Sequence, residues 1–98
     1  MRHHFIVAYD ISDPQRLRQV HKTVRDFGTP LQLSVFACTL SSLDRATLQA
    51  RLLTIIDTTA DQVMFVRLAP VHPGDTRPPG CETLGRPLRA RIDSAIVT

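Results

Sequence analysis

The sequence has no tryptophan and only five aromatic residues in 98, so any core it forms is aliphatic and lean. A chain of this length makes one small domain and hides only about two-thirds of its unfolded surface, and an oligomer interface would supplement such a core. A dimer is therefore expected. Cysteine is equally sparse. Cys38 lies in an apolar run and Cys81 in a proline- and glycine-rich stretch, which excludes a C-x-x-C pair, zinc-ligand spacing and a disulfide framework, and makes the reducing cytoplasm the expected location. No apolar run approaches the ~20 residues of a membrane span, and Met1-Arg2-His3-His4 passes into a strand without the parts of a signal peptide, so no membrane partner is expected. Glycine-rich phosphate loops, H-E-x-x-H, a Ser/His/Asp order and a nucleophilic cysteine context are all missing. Lysine is nearly missing too: eleven of the twelve cations are arginine, and the net charge is +3. That bias suits a phosphate backbone and equally suits an ordinary arginine-rich surface.

What is present begins with Phe5-Ile6-Val7-Ala8-Tyr9-Asp10. Five apolar or aromatic residues without alternation predict a strand covered on both faces, with a carboxylate at its exit. Ser12 and Asp13 then offer oxygens to cap a helix, and Pro14 suits the first helical position. Asp10 has two readings. It simply ends the strand and caps the turn, or it is a rigidly held, water-accessible carboxylate of the kind a hard cation or a proton transfer requires.

Further along, Leu17, Val20, His21, Val24 and Phe27 recur at helical steps over residues 14–27, and Gly28 follows as a stop. Arg16, Arg18, Lys22 and Arg25 occupy the other face of that helix; His21 is read as a packing residue. Residues 31–40 are extended by composition and form either one strand or two joined by a tight bend. Ser41-Ser42 with Asp44 begins a second helix, whose Leu43, Ala46, Ala50, Leu53 and Ile56 are expected to face the sheet as far as Asp57. Residues 61–69 read as a buried strand closed by Pro70. The region from Pro70 to Pro87 is rich in proline and glycine and reads as an exposed arm, followed by Leu88, Ile92, Ala95, Ile96 and Val97 as a short strand or helical turn. The expected organisation is thus a core at residues 1–69 and an arm with a C-terminal element at 70–98, which crosses to a neighbouring subunit or docks on its own. The order β-α-β-(β)-α-β predicts an α+β split βαβ plan, an antiparallel sheet with two helices on one face.

Tyr9-Asp10-Ile11-Ser12-Asp13, Arg16 and Arg18, Gly28, Gln32-Leu33-Ser34-Val35-Phe36-Ala37-Cys38, Leu40-Ser41 and Asp61-x-Val63, in this order and spacing, resemble the smaller of the two CRISPR spacer-acquisition proteins. The resemblance covers about residues 5–69. It implies a ferredoxin-like homodimer that partners the larger adaptation protein, the CRISPR integrase, on duplex DNA or RNA. It also implies metal-dependent endonuclease activity in some members, with Asp10 of each protomer facing the dimer axis and sharing Mg²⁺. Ser12 and Asp13 would orient outer waters, and Tyr9, Ser34 and Phe36 would line the groove. Arg16, Arg18, Lys22 and Arg25, with Arg77, Arg86, Arg89 and Arg91, would grip the nucleic-acid backbone. Thr29-Pro30-Leu31 lacks the basic residue many relatives carry there, and Ala37 stands where a Glu is often found. Whether the chain is an enzyme is therefore left open: a non-catalytic DNA-binding scaffold and a toxin-like ribonuclease stand as alternatives.

Overall fold

A computed structural model describes residues 1–72 and 83–86 of the chain. The elements follow as β1 (His3–Asp10), α1 (Pro14–Arg25), β2 (Gly28–Gln32), β3 (Val35–Leu40), α2 (Ser42–Leu53) and β4 (Gln62–Pro70). The strands form one sheet in the order β2-β3-β1-β4, every neighbouring pair antiparallel. Each helix carries the chain across an intervening strand to a parallel partner, which is the expected ferredoxin-like split βαβ plan. Among the described residues no helix is long and apolar enough to cross a membrane. The arm at 73–82 and the C-terminal element at 87–98 lie outside the described residues.

Both helices cover one face of the sheet. Val20 and Val24 of α1 and Leu48 and Leu52 of α2 close over Phe5, Val7 and Tyr9 of β1 and Phe36, Cys38 and Leu40 of β3. Burial in β1 therefore alternates, and the described residues cover this strand on one face rather than on the two expected. The unbroken run Ile6-Val7-Ala8 instead supplies a core face and an apolar outer face. On that outer face the register brings together Ile6, Ala37 and Val66, and beside them Ala8, Val35 and Met64. Met64 is 50% exposed and Val66 38%.

The start of α1 follows the sequence logic. Asp13 is the N-cap, accepting from the Arg16 N–H at 2.9 Å, and Pro14 stands at the first helical position. Residues 31–40 resolve into two strands with a turn at Leu33-Ser34, where the Ser34 carbonyl accepts from the Tyr9 N–H. Gly28 opens β2 rather than stopping α1, which is capped two residues earlier by Asp26. Its missing side chain has a packing cause: a Cβ there would sit 2.3 Å from Cys38 Sγ and 2.5 Å from the Ala37 carbonyl oxygen.

In α2 the expected face was the wrong one. The capping box forms as read, Ser41 with Asp44, but Leu43 and Leu53 are 75% and 62% exposed, and Ala46 and Ala50 are exposed with them. Leu48 and Leu52 point inward instead, continued by Ile55 and Ile56 past the helix end. Both stripes have helical spacing. Of the expected stripe only Ile56 packs against the core; the face that won hides Leu48 and Leu52, where the alternative offered two leucines and two alanines, and partly covers Ile55 and Ile56, so it removes more apolar area from water.

Candidate metal and nucleic-acid site

Asp10 ends β1 opposite Gln62, on the same outer face as Ala8 and Met64. It is exposed, and among the described residues no hydrogen bond or ion pair holds its carboxylate. The backbone around it is well fixed. Tyr9 donates its N–H to the Ser34 carbonyl at 3.1 Å on one side, and the β4 ladder runs to Gln62 on the other. Asp10 is thus an unspent oxygen donor on a rigid frame. Among the described residues no three acidic, histidine or cysteine side chains gather to hold a metal. One carboxylate fits a hard cation that keeps most of its waters, and a second chain is needed to raise the protein's share of the ligands.

The neighbouring charges do something other than grip nucleic acid. Arg16, grouped by sequence with the backbone-binding cations, is tied to Asp61 through its Nε at 2.8 Å and Nη2 at 3.2 Å. The Asp61 side chain is fully buried, and it also accepts from the N–H and hydroxyl of Ser12 and from the Asp57 N–H. Ser12 in turn accepts from Arg16 Nη2 at 3.2 Å. Hydrogen bonds from Arg16, Asp57 and Ser12, in that order, hold the Asp61 carboxyl well below the usual carboxylate range, and the same pairing raises Arg16. This latch clamps the β1–α1 loop to the start of β4, and so fixes both flanks of Asp10. Ser12 serves the latch, and its hydroxyl donates to Asp61 rather than to a water at Asp10. Asp13 likewise is occupied as the helix cap.

Tyr9 and Phe36 lie in the core and do not line a groove. Phe36 is fully buried because β3 turns its even residues toward the helices, and Tyr9 is 6% exposed beside it, their rings stacked at 6.2 Å. They act on the surface indirectly. Burial pushes the Tyr9 hydroxyl up to about 12, so it keeps its proton; it shares a hydrogen bond with His21 Nδ1 at 2.9 Å and reaches the Leu33 carbonyl as an acceptor at 3.5 Å. His21 also meets the Phe36 ring edge-on at 5.2 Å, which holds the imidazole against the helix. Ser34 contributes its backbone carbonyl to the turn.

The remaining cations separate by partner. Arg2 pairs with Asp44, Arg51 with Asp26 and over the Phe27 ring, and Arg45 lies over Phe5. Arg18, Lys22, Arg25, Arg67 and Arg86 have no carboxylate partner among the described residues, and the first three line one open groove beside α1. Arg77, Arg89 and Arg91 lie outside the described residues. Sequence reading had no route to the latch, because nothing in a strand-opening Asp61 says that it will be buried against an arginine 45 positions earlier. The signal available was Asp57-Thr58-Thr59-Ala60-Asp61, a cluster of turn formers that carries acceptors with no nearby cation in sequence.

A family model for the CRISPR associated protein Cas2 matches residues 1–71. A protein of Rhodospirillum rubrum named CRISPR-associated endoribonuclease Cas2 1 is 40% identical over 95 residues, covering 97% of this chain and 90% of that protein. The CRISPR-associated endoribonuclease Cas2 of Geobacter sulfurreducens is 38% identical over 72 residues, covering 74% of this chain and 76% of its own. Among solved structures, Streptococcus pyogenes Cas2 at pH 6.5 superposes with a TM-score of 0.63 at 34% identity, over 67% of this chain and 86% of its own. A hypothetical protein of Thermus thermophilus superposes with a TM-score of 0.70 at 27% identity, covering 86% and 98%.

Proposed function

The chain belongs to the CRISPR-associated Cas2 family, and on that premise we propose that it works in CRISPR adaptation as a homodimeric nucleic-acid-binding protein with a divalent-metal endonuclease site at Asp10. The observation that carries this reading is the placement of a carboxylate unpaired among the described residues at the end of an apolar sheet face that those residues leave uncovered. Ile6, Ala8, Val35, Ala37, Met64 and Val66 form a surface suited to a second copy of the same chain, and an isologous contact through it puts the partner's Asp10 on the same interface. Two such carboxylates suit Mg²⁺, which would supply charge neutralisation at a phosphodiester and a more acidic bound water.

The chain's own part is to hold Asp10 rigidly through the Tyr9 ladder bond and the Arg16–Asp61 latch, and to draw in a polyanion through Arg18, Lys22 and Arg25. The order β2-β3-β1-β4 also leaves the outer edge of β4 unpaired among the described residues, ready for an added strand. The larger adaptation protein, the integrase, is the partner such a dimer would bridge.

The test is direct. Labelled RNA and duplex DNA are mixed with wild-type and Asp10→Ala protein, with Mg²⁺ or with chelator, and binding and cutting are scored separately. Cutting that vanishes with chelator and in Asp10→Ala, while binding persists, supports the site. Equal cutting by Asp10→Ala overturns it. A second reading, a scaffold that binds without cutting, is favoured by Arg18, Lys22 and Arg25, which line a groove apart from Asp10 and have no carboxylate partner among the described residues; wild-type protein that binds in a salt-dependent way and never cleaves selects it.

A further inference from the structure

The groove beside α1 differs from a surface built only for phosphates. It has a volume of about 580 Å³ and is lined on one side by Arg18, Lys22 and Arg25, which have no carboxylate partner among the described residues. Its other walls are Leu17 and Leu33. Leu33 is 80% exposed at the β2–β3 turn, an aliphatic side chain that the described residues leave largely in water. The one acid among the described lining residues, Asp26, is already paired with Arg51 at 3.1 Å, so that lining is net positive.

His21 completes it. Its Nδ1 is tied to the buried Tyr9 hydroxyl at 2.9 Å, which fixes the ring and leaves Nε2, at its far side, as the second hydrogen-bonding atom. The groove thus joins an apolar wall, a positioned imidazole nitrogen and a row of cations. A base-paired duplex uses only the last of these, because its bases are stacked inside and it presents a convex row of phosphates. An unpaired nucleotide uses all three: a flat apolar base, hydrogen-bonding edges and a phosphate on either side. The volume also lies within the range of small-molecule pockets, ample for one nucleotide.

We propose that this groove seats one unstacked nucleotide of a single-stranded or frayed nucleic acid, the base against Leu17 and Leu33 and the flanking phosphates on Arg18, Lys22 and Arg25. The inference rests on the nucleic-acid reading above and goes beyond it by assigning a base-binding subsite to the groove beside α1, apart from Asp10.

The experiment compares wild type, Leu33→Ser and Arg18→Ala/Arg25→Ala for binding to a short single-stranded RNA carrying a central fluorescent 2-aminopurine, to the blunt duplex of the same sequence, and to the free mononucleotide. Leu33 is exposed, so its substitution leaves folding intact. Leu33→Ser is expected to weaken the single strand by about fivefold, the scale of uncovering part of an aliphatic side chain, and to abolish the change in base fluorescence while leaving the duplex unchanged. The double arginine variant is expected to weaken both strands and to flatten the salt dependence by about one to two charges. Binding of the free mononucleotide at the strand's affinity would assign the groove to a soluble nucleotide instead and overturn the proposal. Equal losses on single strand and duplex with Leu33→Ser, or no loss on either, also overturn it. Unchanged binding by the double arginine variant is a different failure, that of the nucleic-acid reading itself.

Discussion

If the outer sheet face joins two chains, removing its most exposed apolar side chains should weaken the dimer by a calculable amount. Met64 is 50% exposed and Val66 38%, so covering them returns about 1 kcal/mol and 0.6 kcal/mol respectively at the usual worth of a fully buried side chain, ~1.5–3 kcal/mol. The contact is isologous, so each loss counts twice, and Met64→Ser/Val66→Ser is expected to cost roughly 3 kcal/mol of association, about a hundredfold in Kd. The monomer should be little affected, since both side chains point away from the core formed by Val7, Phe36 and Leu48. Sedimentation equilibrium over a wide concentration range measures the constant, and thermal denaturation of the dilute protein checks the fold. Metal-dependent cleavage, if it requires two Asp10 carboxylates, should fall with the dimer population and recover at high protein concentration. An unchanged dimer constant in the double variant, or cleavage that is first order in a dissociated monomer, refutes the assignment of this face.

Other consequences follow from single contacts. Gly28→Ala forces a Cβ into Cys38 Sγ and a backbone carbonyl, and should cost about 1–3 kcal/mol, read as a fall in Tm of roughly 5–20 °C. The Asp61 carboxyl is held below its unfolded value, so its contribution to stability is present above the ordinary carboxylate pKa of about 4 and is lost as pH falls below that. Asp44 and Asp57 are shifted in the same direction and add to the same loss. Asp61→Asn should lower Tm near neutral pH and flatten the acid limb of the Tm profile, whereas an unaltered profile would show the latch to be inert. Burial pushes the Cys38 thiol up to about 12, so in a Cys81→Ser background it should resist alkylation in the folded protein and react at the rate of unfolding.

The sequence was most readable where local chemistry and tertiary packing agree. Asp13-Pro14 and Ser41 with Asp44 mark both helix starts, and each cap uses groups within three residues of one another, so no distant contact can revise it. Position 33–34 was less readable because Leu-Ser is not a glycine- or asparagine-type turn; the turn is set by Tyr9 and Ser34 bonding across strands, which periodicity does not report. In α2 two stripes satisfy the same helical period, and only the volumes of Leu48, Leu52, Ile55 and Ile56 against a particular sheet decide between them. Asp10 was placed correctly at a strand end. That it would be exposed on the uncovered face, two residues beyond Ala8 rather than beside Tyr9, follows from which parity of β1 the helices cover.

The charge count is the clearest case of a sequence quantity that packing reinterprets. Sequence reading groups four cations of α1 as one phosphate-facing row, with Arg16 nearest Asp10. Folding brings a fully buried Asp61 to Arg16, and breaking that pair to free the guanidinium would leave a carboxylate without its cation. Arg16 is therefore a fixed part of the frame. The cations of α1 left without a carboxylate partner among the described residues, Arg18, Lys22 and Arg25, are displaced along α1 toward the hairpin turn and away from Asp10. If a nucleic acid is held by these groups, Arg16→Ala should disturb stability and Asp10 geometry together, while Arg18→Ala or Arg25→Ala should weaken binding with Tm unchanged. A salt slope that drops equally for Arg16→Ala and Arg18→Ala would mean that the latch opens when nucleic acid binds.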